Sequence, residues 1–181
     1  MTTNAHSHLL TRLESLARQL QDPLDTEQEG FALCVREASF RVRFPYSVTL
    51  NRLARAVPDA LWIKSLREWS WPLEEYLAAR AARDQIIQTQ HAMWQARESL
   101  FSELFLIYPS VSVKPAFERN VGDIVGVNSF FVAQRIGASL CVLHESAALS
   151  APVMQGETRS IFYKNGHGIV ASLVNVPGGR G

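Results

Sequence analysis

The sequence predicts an α+β chain: a helical domain over residues 1–110 that ends in a long helix, then a small antiparallel β-barrel or sheet over 111–176, and a flexible tail at 177–181. Three observations carry this. Leu73 to Tyr108 holds no glycine or proline and is rich in good helix formers. After Val111 the chain is short of charge, β-branched and punctuated by glycine. Asn165-Gly166 then stands between two apolar runs, and both positions of a tight hairpin turn favour positive φ.

The elements follow in order. Leu9, Leu10, Leu13, Leu16, Ala17 and Leu20 recur at helical spacing, with Arg12, Glu14, Arg18 and Gln19 between them. Asp22-Pro23 stops this helix, because proline lacks the amide hydrogen and restricts the residue before it. Asp25 or Thr26 caps a second helical segment through Phe31, Cys34 and Val35, which Gly30 weakens. Ser39 to Phe44 alternates apolar with polar residues as a short half-buried strand does. Ser47 or Thr49 caps a helix carrying Leu50, Leu53, Ala54 and Val57. Pro58 opens the next turn, and Leu61, Trp62, Leu66 and Trp69 suggest a further helix. Pro72, with Ser70 as cap, starts the long helix, about 50 Å at 1.5 Å per residue. Its apolar face runs through Leu73, Leu77, Ala81, Ile87, Met93, Trp94, Leu100, Phe101, Leu104 and Phe105. The pattern favours a helical bundle over a coiled coil, since no strict heptad is kept. Strands are expected at 111–113, 124–127, 130–136, 140–144, 160–164 and 168–174.

Composition bounds the function. The chain has 181 residues, of which 47% are hydrophobic and 19% charged, so it can build a core. A formal charge of +1 excludes a wholly polycationic surface and leaves a local patch open. No apolar run approaches the roughly 18 residues of a membrane span, so no membrane insertion is expected. Met1 to His8 lacks the basic flank and apolar stretch of a secretion signal, and Cys34 and Cys141 are far apart on apolar patterns. Reduced cysteines in a bacterial cytoplasm are the expectation.

Two constellations are candidates for binding. Trp62, Trp69 and Trp71 cluster where a protein partner would find large amphipathic side chains; the alternative is a junction between helices. Arg36, Arg41, Arg43, Arg52, Arg55, Lys64 and Arg67 face only Glu37 and Asp59 in the same segment, a local excess of five positive charges. With Phe40, Phe44, Tyr46 and Trp62 interleaved, Arg41, Arg43, Arg52 and Arg55 could hold a nucleic acid. The alternative is a solvated, ion-paired face. Leu50 to Trp69 weakly resembles a helix-turn-helix, although Pro-Asp suits its turn poorly.

Catalytic signatures are absent from the sequence. There is no Gly-x-Ser-x-Gly elbow, phosphate loop or Gly-x-Gly-x-x-Gly. His6 and His8 lie near the terminus, and His91 has no His or carboxylate at i±3 or i±4. His144 is expected to bond a backbone group, and His167 to be a turn residue. Ser139, Cys141 and His144 are close, but in a strand positions 141 and 144 point to opposite faces. No enzyme, cofactor or metal site is expected; the least favoured rival is a hydrolase with a site between the two halves.

The run from Gly122 through Asp123, Ile124, Gly126, Asn128, Ser129, Phe130, Phe131 and Val132 to Gln134 resembles the opening of the KfrB-type domain of broad-host-range plasmid proteins. The likeness continues through Gly137, Cys141 to His144, Leu149, Gly156 and Tyr163 to Gly168, covering roughly residues 120–175. Where that family usually has an acidic residue and a histidine pair, this chain has Ser129, Phe130 and Phe131, which offer an apolar surface or core. The resemblance implies a plasmid or mobile-element setting, with roles in stable inheritance or conjugation and no established enzymatic activity. The expected function is therefore an accessory protein that binds another protein, itself included, in plasmid maintenance, transfer or interference with a competing system. Trp62, Trp69, Trp71, Phe130 and Phe131 are the expected contacts. A nucleic-acid-binding module is the alternative.

Overall fold

The computed structural model describes residues 3–20, 24–28, 30–36, 38–115 and 119–172. The helix stop at Asp22-Pro23, the end of the strand expected to reach Val174 and the tail at 177–181 lie outside the described residues. The chain divides by compactness into Met1–His91 and Ala92–Gly181, with the division inside a long helix.

In the first unit, α1 (Thr3–Gln19) turns Leu13 and Ala17 inward. A five-stranded antiparallel sheet follows, built from β1 (Thr26–Gln28), β2 (Phe31–Arg36), β3 (Ser39–Arg43), β4 (Leu61–Ile63) and β5 (Glu68–Pro72) in the order β1-β2-β3-β5-β4. The short helix α2 (Val48–Arg55) stands between β3 and β4 in sequence. Ser47 caps it, its hydroxyl accepting from the Leu50 amide at 3.1 Å.

This sheet corrects two expected helices. Phe31 to Arg36 is strand β2, because Gly30 at φ +84 reverses the chain and Phe31 and Leu33 then alternate inward. Leu61 to Trp69 is a hairpin. Val57 to Ala60 forms a turn closed by the Ala60 amide on the Val57 carbonyl, with Asp59 at φ 53 in its third position. Residues 64–67 form the connecting loop, closed by the Leu66 amide on Ile63, with Arg67 at φ 54. The helix-turn-helix likeness goes with the second helix. Ser70 lies in β5 and caps nothing. Pro72 precedes a single 3-10 turn over Leu73–Glu75, which leads into α3 (Tyr76–Ile107).

The α3 helix is 32 residues long, about 48 Å. Within the first unit Leu73, Tyr76, Ala79, Ala82 and Ile86 are buried, and Phe40 meets the Tyr76 ring at 6.0 Å. Its buried face departs from the expected one: Leu77, Trp94 and Phe105 are exposed.

In the second unit, Leu100 and Leu104 of α3 join Val111, Ala133 and Cys141 in one core cluster. A six-stranded sheet comprises β6 (Ser112–Pro115), β7 (Asn120–Val127), β8 (Phe131–Arg135), β9 (Leu140–Glu145), β10 (Thr158–Lys164) and β11 (His167–Ser172), in the order β11-β10-β7-β8-β9-β6. It is antiparallel except for β6 beside β9, and it does not close into a barrel. Asn165 and Gly166, at φ 52 and 79, turn β10 into β11 with Lys164 opposite His167, as the sequence predicts.

Candidate functional site

Alternation along β3 and β5 decides where the tryptophans and arginines go. Val42 pairs with Trp69 and Phe40 with Trp71, so these four share one face of the sheet. Helix α2 covers that face. The Trp71 indole donates to the Ala54 carbonyl at 3.1 Å, and the Trp69 indole donates to the Asn51 side-chain oxygen at 3.0 Å. Trp71 is 0% and Trp69 4% exposed. Both belong to the core, where satisfying the indole N–H is the condition of burial. Neither presents the surface expected of a hot spot.

Trp62 does. It lies on β4 opposite Trp69, with ring centroids 5.5 Å apart and planes tilted by 57°. It remains 47% exposed, and Tyr46 on the approach to α2 is 74% exposed. Together with Phe44, Asn51, Lys64 and Arg67 these residues line a groove of about 540 Å³. The lining charges, Lys64 and Arg67, are both positive and come from the β4–β5 loop. Arg55 of α2 adds a third cation, its guanidinium carbon 6.0 Å from the centre of the Trp69 ring. The sequence places Tyr46, Lys64 and Arg67 in one basic, aromatic segment but does not gather them into a groove. The signal was available only once residues 61–69 were read as a hairpin.

The four arginines of the nucleic-acid reading do not share a face. Arg41 and Arg43 alternate with Phe40 and Val42 and so point away from the side that α2 covers. Arg52 and Arg55 sit in the last turn of α2 itself.

In the second unit the residues of the resemblance converge on architecture. Asn128 closes the β7–β8 turn: its side-chain oxygen accepts from the Phe130 and Phe131 amides at 3.0 and 2.8 Å, while its amide group donates to the Ala96 carbonyl of α3 at 2.8 Å. Phe131 packs on the Leu100–Cys141 cluster, so of the surface-or-core alternatives it takes core. Phe130 is half-buried beside it.

Gln134 and His144 are fully buried and bonded to each other. The Gln134 amide group donates to the carbonyls of Gly122 and Arg159, at 3.2 and 2.7 Å. Its oxygen must therefore accept, at 3.1 Å, from His144 Nε2–H. That assigns His144 the tautomer with a bare Nδ1, which accepts from the Tyr163 hydroxyl at 3.0 Å. The expected bond from His144 to a backbone group is replaced by these two side-chain partners. Burial pushes the His144 pKa down to about 4, so the ring is neutral at pH 7. Burial, with the Glu145 charge, pushes the Tyr163 phenol up to about 12. Burial likewise raises the Cys141 thiol, which holds it protonated and poorly nucleophilic.

The chain is thus an α+β protein with a groove-bearing first unit and a second unit built round a mixed six-stranded sheet. Residues 119–172 match the family model described as KfrB Domain. That match suggests a plasmid-associated protein. No curated protein and no solved structure matches the chain. Among the described residues no helix is long and apolar enough to cross a membrane.

Proposed function

We propose that this chain is a non-enzymatic accessory protein of a bacterial plasmid or mobile element, and that it acts by binding another protein in plasmid maintenance, conjugative transfer or interference with a competing system. The observation that supports this reading is the groove beside Trp62, where a half-exposed indole leans on a buried one and Tyr46 stands open alongside. Exposed aromatic area on a rigid hairpin is what a protein interface uses as an anchor. A binding role also agrees with the way Gln134, His144 and Tyr163 bond one another and with a buried, protonated Cys141.

The test is co-purification from a plasmid-bearing host with the tagged chain and its Trp62→Ala variant. A specific partner recovered by the parent chain, and about tenfold less by the variant, is the expected result. Equal recovery by the two overturns the reading. Nucleic-acid binding keeps one favourable observation, the exposed Arg52 and Arg55 on one helix turn. It predicts retention on DNA at low salt that Arg52→Ala with Arg55→Ala abolishes.

A further inference from the structure

Resting on that protein-binding reading, we propose that the groove of the first unit takes an acidic segment of its partner: an extended stretch with one large apolar side chain seated against Trp62 and with carboxylates beside it. Each half of the description answers a feature of the lining. Trp62, Tyr46 and Phe44 surround the groove with ring surface, and its volume of about 540 Å³ accommodates a large side chain together with its neighbours. Trp62 is backed by the Trp69 ring, and Trp69 is fixed by its bond to Asn51. The anchor wall is therefore in place before anything binds, which lowers the ordering cost of association.

The charged rim selects sign. Lys64 and Arg67 stand at the two ends of one four-residue loop, and among the described residues no carboxylate lines the groove. Lys64 offers a mobile point charge, whereas Arg67 offers a planar fork matched to a carboxylate. Two cations on one loop suit one or two carboxylates. With Arg55 beside Trp69 they make three, still short of a track along a phosphate backbone, since Arg41 and Arg43, which could have extended one, face the other way.

Random dodecapeptides displayed on phage and selected on the immobilised full chain provide the test, with the selected peptides then titrated by fluorescence anisotropy. The expected peptides are enriched in Asp and Glu around an aromatic or large aliphatic residue. They lose about tenfold or more in affinity for Trp62→Ala and for Lys64→Glu with Arg67→Glu. The loop substitutions are at exposed positions and keep a Cβ at each, so circular dichroism of that variant should match the parent. Selected peptides that need Trp62 but show no acidic enrichment overturn the acidic segment and leave the protein-binding reading standing. Peptides indifferent to Trp62 overturn both. An oligothymidylate that binds more tightly than the peptides and displaces them overturns the proposal in favour of nucleic acid.

Discussion

The Tyr163 hydroxyl donates to His144 Nδ1 at 3.0 Å while the two rings lie within 3° of parallel. The contact ties β10 to β9 across sheet positions that are not neighbours, because β7 and β8 stand between them. In this direction the bond needs a neutral imidazole; a protonated ring would have to donate Nδ1–H to the Tyr163 oxygen instead.

Acid sensitivity follows. The folded-state pKa of His144, about 4, is below its ordinary 6.5. Between those values the unfolded chain binds a proton that the folded chain refuses, so the His144 contribution to stability is fully present above pH 6.5 and is lost as pH drops toward 4. The loss over that window is roughly 3 kcal/mol at 1.36 kcal/mol per unit. Hydrogen exchange of the amides in β8 and β9, measured at pH 7 and pH 5 and corrected for intrinsic rates, should show the decline. A His144→Asn chain should lack that pH dependence; an unchanged slope in it would assign the acid sensitivity elsewhere.

Among the described glycines of the second unit, Gly122 is the one where an added Cβ would sit tightest against a neighbouring backbone. A Cβ there would overlap the Arg135 carbonyl of the neighbouring strand, and that carbonyl cannot yield as a flexible side-chain end would. Gly122→Ala is expected to cost about 3 kcal/mol or more, read as a lower midpoint in urea. Gly137→Ala is the comparison, because its added Cβ meets nothing within 4 Å, although its φ of +145 still carries some strain.

Trp71 and Trp62 should separate stability from binding. Trp71→Ala empties a fully buried site and leaves the Ala54 carbonyl without its donor, which costs about 3–5 kcal/mol in thermal or urea unfolding. Trp62→Ala removes a half-exposed ring and should cost far less, about 1 kcal/mol, with its effect appearing in partner affinity. Comparable destabilisation by both would place Trp62 in the core.

Much of the fold was legible because it rests on local rules. The long helix follows from an unbroken run of helix formers, the last hairpin from Asn165-Gly166, and the start of α2 from a cap at Ser47 or Thr49, of which the structure uses Ser47. Residues 61–69 misled because Leu61, Trp62, Leu66 and Trp69 fall near helical intervals. Their strand state depends on Trp62 meeting Trp69 across the hairpin and on Arg67 accepting a left-handed conformation, neither visible in periodicity. Trp69 and Trp71 carried a usable signal, two residues apart and thus on one face of a strand. The Gln134–His144–Tyr163 set was hidden, since its members lie 10 and 19 residues apart and meet only through sheet order. All three nevertheless belong to the stretch that matches the KfrB family model, residues 119–172.

Both borders of the first sheet are strands of only three residues, Thr26–Gln28 and Leu61–Ile63. So brief a border gives a visiting chain little main chain to zip onto, which discourages runaway strand-on-strand association in a crowded cell. If a partner docks beside Trp62 as proposed, selectivity is then left to side-chain shape and charge, and new contacts can arise there without inviting fibre growth.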